Sequence, residues 1–335
     1  MSGLLDTNVS IFTTKMRTEF IKAYKGVQEP APWEEITFRV NSTARIEHFP
    51  WMSPAPGPAR YKGYRRFARM APVVYRLANV EFDAAYEVEM RDIEDAQIGY
   101  EMKAQEMAQK CKDYPGRHVL KLLSAGTQVK CFDGTNFFAT SHEIGQGDNL
   151  MTGTGSANTD GLQYRLIALY TAAPLKPMLW LDRKRPTFMT DAGSPQSKLA
   201  KKVKYWVDFE GQAGFGYWWH AIQYTFTNLP NVADLHTAFQ QIENRFRTFR
   251  MPQATETDEF EWIYEQTVFS SKNLVFVHAT ALTEIFRQAL NQDWVPQVIG
   301  SGGVATTNRF KGFATHFPSV YLNPGVTINT DDFLP

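Results

Sequence analysis

The chain has 335 residues, 43% hydrophobic and 21% charged, which excludes a disordered polypeptide and leaves room for two or three lobes. Its formal net charge is zero, which disfavours wrapping or sliding on DNA as the main role, and it shows no apolar run of membrane-span length and no basic-then-apolar leader pattern. Two cysteines, Cys111 and Cys131, exclude a disulfide framework and read as packed thiols in a reducing compartment, while 14% aromatic residues point to extensive burial against partners.

Residues 1–38 read as an arm. Phe12, Met16, Phe20 and Tyr24 recur every fourth position on one side of a short helix. Gly26 and Pro30-Ala31-Pro32 end it, and so isolated a helix needs another surface to bury its apolar side. Ile36, Phe38 and Val40 alternate with polar neighbours as a strand, continued by Arg45-Ile46-Glu47. The proline-rich run from Pro50 to Pro58 precludes helix and central strand and makes a stiff bend into a projecting loop.

Charge is segregated in that loop. From Arg60 to Arg76 every charged residue is basic: Arg60, Lys62, Arg65, Arg66, Arg69 and Arg76, interleaved with Tyr61, Tyr64 and Phe67. From Glu81 to Asp95 nearly all are acidic: Glu81, Asp83, Glu87, Glu89, Asp92, Glu94 and Asp95, against Arg91. A basic, aromatic stretch can bind nucleic acid; zero net charge and the adjoining acidic run favour contact with the acidic patch of another copy. Val80, Phe82 and Val88 mark the return strands.

Residues 92–125 read as helix in two parts. Tyr100, Ala104, Met107, Cys111 and Tyr114 give one apolar stripe. Pro115 breaks it, Asp113 caps a second piece carrying Leu120, Leu122 and Leu123, and Gly126 stops that piece. Asp133-Gly134 then supplies the two positive-φ positions of a tight hairpin with Cys131-Phe132 and Phe137-Phe138 as arms. Gly145 to Gly161 is a mobile surface loop; without a lysine its glycines make no phosphate loop. Leu166–Tyr170, Met178–Leu181, Lys204–Glu210 and Phe215–Thr227 read as strands, with Asp191–Lys201 a polar link. Within the last of these, Trp218 and Trp219 are expected one buried and one exposed. Leu235, Phe239, Ile242, Phe246 and Phe249 form the clearest helix, capped by Asn231, and Met251–Asp258 is a polar connection. Leu274–Val277 is a buried strand, followed by a helix with Leu282, Ile285, Phe286 and Leu290, a loop at Gly300–Thr307 and a final strand over Phe310–Leu322.

No constellation for chemistry emerges. The seven histidines show no helix-zinc spacing and no cysteine lies near one in a ligand pattern. There is no Gly-x-Ser-x-Gly elbow, and a Cys131 nucleophile with a distant histidine is a chance pairing. The acidic run at 87–95 lacks the spaced ligands and glycine of a calcium loop. No catalytic, metal or cofactor residue is assigned.

The string Val129 to His142, with its Cys-Phe-Asp-Gly-Thr-Asn-Phe-Phe core, resembles a signature of the Mu-like phage major head subunits. Further blocks follow in the same order as in that family: Arg91-Asp92-Ile93-Glu94-Asp95, Leu120 to Leu123, Pro174-Leu175-Lys176-Pro177 leading into Trp180 to Pro186, and Gly214-Phe215-Gly216-Tyr217-Trp218. The likeness runs from about Ile11 to Leu322, and departs at Glu143, where the family usually has proline. It implies an α+β, Hong Kong 97-type major capsid fold. Residues 1–38 would be the N-terminal arm, packed on a neighbouring subunit, and 39–91 the projecting loop. Residues 92–225 would be a peripheral domain with a spine helix over 92–125, and 226–335 an axial domain. The implied function is the major capsid protein of a tailed phage or Mu-like prophage, assembling as hexamers and pentamers around packaged DNA. Its partners would be itself, the portal, scaffold or protease, decoration proteins, and DNA without sequence specificity, with no membrane. The expected subunit interface is Arg60, Tyr61, Lys62, Tyr64, Arg65, Arg66, Phe67 and Arg69 against Glu87, Glu89, Asp92, Glu94 and Asp95, with Phe12 and Phe20 of the arm. Alternatives are an encapsulin-like nanocompartment shell and a nucleic-acid-binding protein using residues 60–76.

Overall fold

The computed structural model describes residues 2–26, 31–52, 63, 75–95, 99–252, 260–263, 270–297 and 304–333. The chain opens with α1 (Ser2–Lys25), the single turn α2 (Pro32–Glu35), β1 (Thr37–Asn41) and β2 (Ile46–His48). Then come β3 (Arg76–Ala78), β4 (Val80–Glu89), α3 (Met90–Glu94) and the long α4 (Tyr100–Ser124). β5 (Leu150–Gly153), β6 (Tyr164–Tyr170), β7 (Met178–Thr190), α5 (Pro195–Ala200), β8 (Lys202–Phe215) and β9 (Ala221–Phe226) occupy the middle. They are followed by α6 (Val232–Phe246), β10 (Arg250–Pro252), β11 (Phe260–Trp262), β12 (Leu274–Ala279), α7 (Thr283–Asn291), β13 (Trp294–Gln297), β14 (Val304–Thr307) and β15 (Thr315–Ser319).

Two sheets organise these elements. The first runs β1-β7-β8-β4; β7 and β8 form a long antiparallel hairpin tipped by α5, β1 joins it in parallel, and β4 is an edge. Side chains alternate along β4 and β8, so Val88, Val203, Tyr205, Val207 and Phe209 face one side. Met16 and Phe20 of α1 and Ala104, Met107, Ala108 and Cys111 of α4 cover them. The arm's apolar stripe is thus real and packs within its own chain, with Met16 and Phe20 buried and Phe12 and Tyr24 half-buried. Phe20 keeps 2% of its surface, and the half-buried Phe12 lies between Tyr100 and Tyr205.

The expected break at Pro115 is absent: α4 is one continuous helix through it. Proline there deletes the N–H that would bond to the Cys111 carbonyl, and packing on both sides overrides that loss. Trp33 sits on the helix backbone at Gly116, where a Cβ would lie 2.5 Å from its ring. Tyr114 and His118 stack with ring centres 5.8 Å apart.

The second sheet runs β15-β12-β6-β9-β5. Its inner strands are antiparallel and both edge strands join in parallel. α6 and α7 cover it: Leu235, Phe239, Ile242 and Phe246 are fully buried, and Phe239 stacks on Phe276 of β12. Asn231 and Asp234 form a reciprocal capping box at the start of α6.

Several expectations change in this half. Gly145–Gly161 is not only loop, since β5 pairs with β9 there. Within Gly300–Thr307, β14 pairs with β13. The final strand is β15 alone, followed by a short 3-10 turn. Trp218 and Trp219 occupy a 3-10 turn and both are buried. The division at residue 225 does not follow the sheets, because β5, β6 and β9 share the sheet of β12 and β15; nor does that at residue 39, because β1 and β4 lie in the first sheet.

Arg165 of β6 knits the halves together. Its guanidinium donates to the Ser124 carbonyl at 2.9 Å, the Ser124 hydroxyl at 3.1 Å and the Tyr321 carbonyl at 3.0 Å, a cation at the C-terminal end of α4. Phe333 returns to pack on His118 of the same helix.

Candidate functional site

The exposed face of the first sheet carries the predicted acidic residues. Glu81, Asp83, Glu87 and Glu89 alternate outward along β4, opposite Glu210, Asp208, Lys204 and Lys202 of β8. Glu87 meets the Lys202 ammonium at 2.5 Å, and that hydrogen bond holds its carboxyl below the ordinary range. Asp92 in α3 accepts from the Tyr100 hydroxyl at 2.5 Å, which pushes the Tyr100 phenol up. Glu94 and Asp95 are exposed. The structure thus brings Glu87, Glu89, Asp92, Glu94 and Asp95 to the C-terminal end of β4 and the helix after it. Arg60, Tyr61, Lys62, Tyr64, Arg65, Arg66, Phe67 and Arg69, the basic half of the expected contact, lie outside the described residues.

Beside this acidic end stands the tip of the β7–β8 hairpin. The Ser194 hydroxyl accepts from the Ser197 N–H to start α5, and Lys201 ends it at φ 53°. The Lys201 carbonyl accepts from the Met90 N–H at 2.9 Å, which fixes the tip against α3. Leu199 is 90% exposed there, flanked by exposed Lys198 and Lys201. Reading 191–201 as a polar link missed this feature, because one leucine in a six-residue helix produces no periodicity.

A second constellation is buried. The hairpin forms around a three-residue loop: the Cys131 N–H donates to the Thr135 carbonyl at 2.8 Å and the Gly134 N–H to the Cys131 carbonyl at 3.1 Å. Only Gly134 has positive φ, 85°, so the turn is a type I turn with a glycine bulge and not the two-residue form expected. This geometry turns the Asp133 carboxylate inward. Its Oδ1 accepts from the Thr135 N–H at 3.0 Å, the Thr135 hydroxyl at 2.6 Å and the Cys131 thiol at 3.1 Å. Its Oδ2 lies 2.8 Å from His142 Nδ1, and neither side chain has any exposure. Burial alone would raise the Asp133 pKa; hydrogen bonds from His142, Thr135 and Cys131 outweigh it and hold it at about 2. Burial, then the Asp133 charge, push the Cys131 thiol well up, so it is a poor nucleophile.

His142 Nε2 sits 3.2 Å from Asn149 Oδ1. Asn149 is itself fully buried, and its amide donates to the Phe137 and Trp218 carbonyls. The ligand-type atoms of Cys131, Asp133 and His142 all lie within 4.8 Å of one another. No cysteine-histidine spacing signalled this cluster; the clue was the Cys-x-Asp turn with a histidine after the second arm.

Elsewhere, His278 and His316 meet at 3.0 Å between Nε2 and Nδ1, and among the described residues no helix is long and apolar enough to cross a membrane.

Residues 9–248 match the family model described as "Mu-like prophage major head subunit gpT". The Mu-like prophage FluMu major head subunit of Haemophilus influenzae is 26% identical over 209 residues, covering 56% of this chain and 64% of that protein. The major capsid protein of Escherichia phage Mu is 28% identical over 222 residues, covering 62% of this chain and 71% of that protein. The subunit in the procapsid of bacteriophage JBD30 superposes with a TM-score of 0.68 at 22% identity, covering 94% of this chain and 98% of that one. At that identity the likeness establishes the fold, and the expected capsid fold is the one found.

Proposed function

The chain belongs to the Mu-like prophage major head subunit family, and from that premise we propose that it is the shell-forming subunit of a tailed-phage or prophage head. The observation that carries this reading is the family match across residues 9–248, joined to a capsid-subunit fold that spans both sheets. Identical copies assemble into hexamers and pentamers of an icosahedral shell in the virion, enclosing double-stranded DNA that touches the inner face without sequence specificity. Portal, scaffold or protease, and decoration proteins of the same head complete the partners. The function lies in association.

Charge supports a head-to-tail contact. The acidic end of β4 and α3, with Glu87, Glu89, Glu94 and Asp95, complements the basic run Arg60 to Arg69 on the same polypeptide, and a heterologous contact of this kind closes into rings. Exposed ion pairs contribute ~0–1 kcal/mol each, so these charges set register and partner choice. Affinity comes from Tyr61, Tyr64, Phe67 and exposed apolar groups such as Leu199.

Negative-stain microscopy of the expressed protein tests the reading. Closed shells, or rings and tubes of regular subunits, are expected. Compact single molecules at every concentration, with the cognate scaffold present, would overturn it.

A further inference from the structure

The buried cluster at Asp133 contains an unbalanced proton account. The Asn149 amide orientation is fixed: its nitrogen faces the Phe137 and Trp218 carbonyls at 2.7 and 3.2 Å, and its oxygen accepts from the Ala139 N–H at 2.9 Å. His142 Nε2, facing that oxygen at 3.2 Å, therefore carries a hydrogen. His142 Nδ1 faces Asp133 Oδ2 at 2.8 Å and the Thr135 hydroxyl at 2.9 Å, and the hydroxyl's own hydrogen is directed to Asp133 Oδ1. Both ring nitrogens thus meet acceptors, whereas a neutral imidazole has one N–H. A cation has to stand between Nδ1 and the carboxylate, either a second proton or a metal ion.

Two observations favour the metal, and charge permits it. A third donor, the soft Cys131 Sγ, lies within 4.8 Å of the other two ligand atoms. The surrounding bonds have the pattern that orients metal ligands: the other imidazole N–H goes to a side-chain carbonyl, and the other carboxylate oxygen is held by the Thr135 N–H and hydroxyl. Charge also balances, because a thiolate and a carboxylate together neutralise a divalent ion in a site whose Asp133 and His142 side chains are wholly buried.

We propose that Cys131, Asp133 and His142 bind one zinc ion, which clips the 131–142 hairpin to the core at Trp218. Sulfur, imidazole and carboxylate donors suit zinc in a tetrahedral site with one position left for water or the Thr135 hydroxyl. On binding, the Cys131 thiol proton and any proton on His142 Nδ1 leave to solvent. Sγ, Nδ1 and Oδ2 donate lone pairs to the metal, and the Asp133–His142 contact opens slightly to admit it.

The test uses the full chain, stripped with chelator, exposed to zinc chloride and desalted. One zinc per chain is expected, with a higher melting temperature than the stripped protein. Cys131→Ser keeps a hydroxyl that can bond to Asp133, so it should fold, while its zinc affinity should drop by more than the ~10–100-fold that loss of an outer partner costs. Nitrogen-15 NMR of the wild-type chain is independent of any variant: His142 Nδ1 should lack a proton when zinc is bound. Failure of the wild type to retain zinc, equal retention by Cys131→Ser, or a doubly protonated His142 in excess zinc chloride would each overturn the proposal.

Discussion

The imidazole of His142 lies flat on the indole of Trp218, ring centres 3.9 Å apart and planes 2° from parallel. Trp218 also donates its indole N–H to the Ile144 carbonyl at 2.9 Å and accepts from Asn149 through its own carbonyl. The fully buried Trp218 side chain thus holds the segment at His142 and Ile144, and its backbone carbonyl holds it at Asn149. Trp218→Ala should cost ~3–5 kcal/mol in denaturant unfolding, as large aromatic deletions in cores do. Hydrogen exchange should show the amides of residues 131–142 losing protection most. A cost under ~1 kcal/mol would mean the stack contributes little.

Gly116 gives a prediction whose sign opposes intrinsic propensity. Alanine in a helix interior is favoured over glycine by ~1 kcal/mol. Here a Cβ would stand 2.5 to 2.8 Å from three atoms of the Trp33 ring, so Gly116→Ala should destabilise by ~1–3 kcal/mol. In a Trp33→Ala background the same change should stabilise. Thermal melts of the four proteins would reveal that reversal; parallel behaviour in both backgrounds would refute the contact.

Buried imidazoles set the acid limit. Burial pulls His278 down to about 4 and His220 to about 3, from 6.5. His278 Nδ1–H donates to the Ala279 carbonyl, so its Nε2 accepts from His316 Nδ1–H, a pair that works only while His278 is neutral. The unfolded chain takes up protons first, so this stability is complete above about pH 6.5 and is lost as pH falls toward 4, by up to ~1.4 kcal/mol per unit for each histidine. Denaturant midpoints measured from neutral to acid pH should fall, and His278→Gln should flatten the slope. An unchanged slope would assign the acid sensitivity to other groups.

Leu199 separates folding from association. Its 90% exposure means Leu199→Glu should alter subunit stability by no more than ~0.5 kcal/mol while lowering the yield of assembled particles in sedimentation. Normal yields would remove the hairpin tip from the set of contacts.

Local signals were readable in the sequence and distant ones were not. The face of α6 and its Asn231 cap follow from spacing within one helix, and so does the stripe of Phe12, Met16, Phe20 and Tyr24. Periodicity says that such a face is covered, not by what, so the stripe of α1 does not name α4 as its cover. Pro115 misled for the same reason: the residue that overrides it, Trp33, belongs to another part of the chain. β5 is only Leu150-Met151-Thr152-Gly153 and gets its identity from β9, a partner no alternation announces. Cys131 and His142 are joined by a glycine-bulged turn for which no ligand-spacing template exists. The acidic cluster from Glu87 to Asp95 was legible because its charge gathers along one strand and the helix after it.

Arg165 holds Ser124 and Tyr321 at once, and β12 lacks a neighbour on one side until β15 arrives. During synthesis α4 and most of both layers thus leave the ribosome before the segment that seals them. Until the chain extends past residue 321, one edge of β12 stays bare and Arg165 lacks the Tyr321 carbonyl.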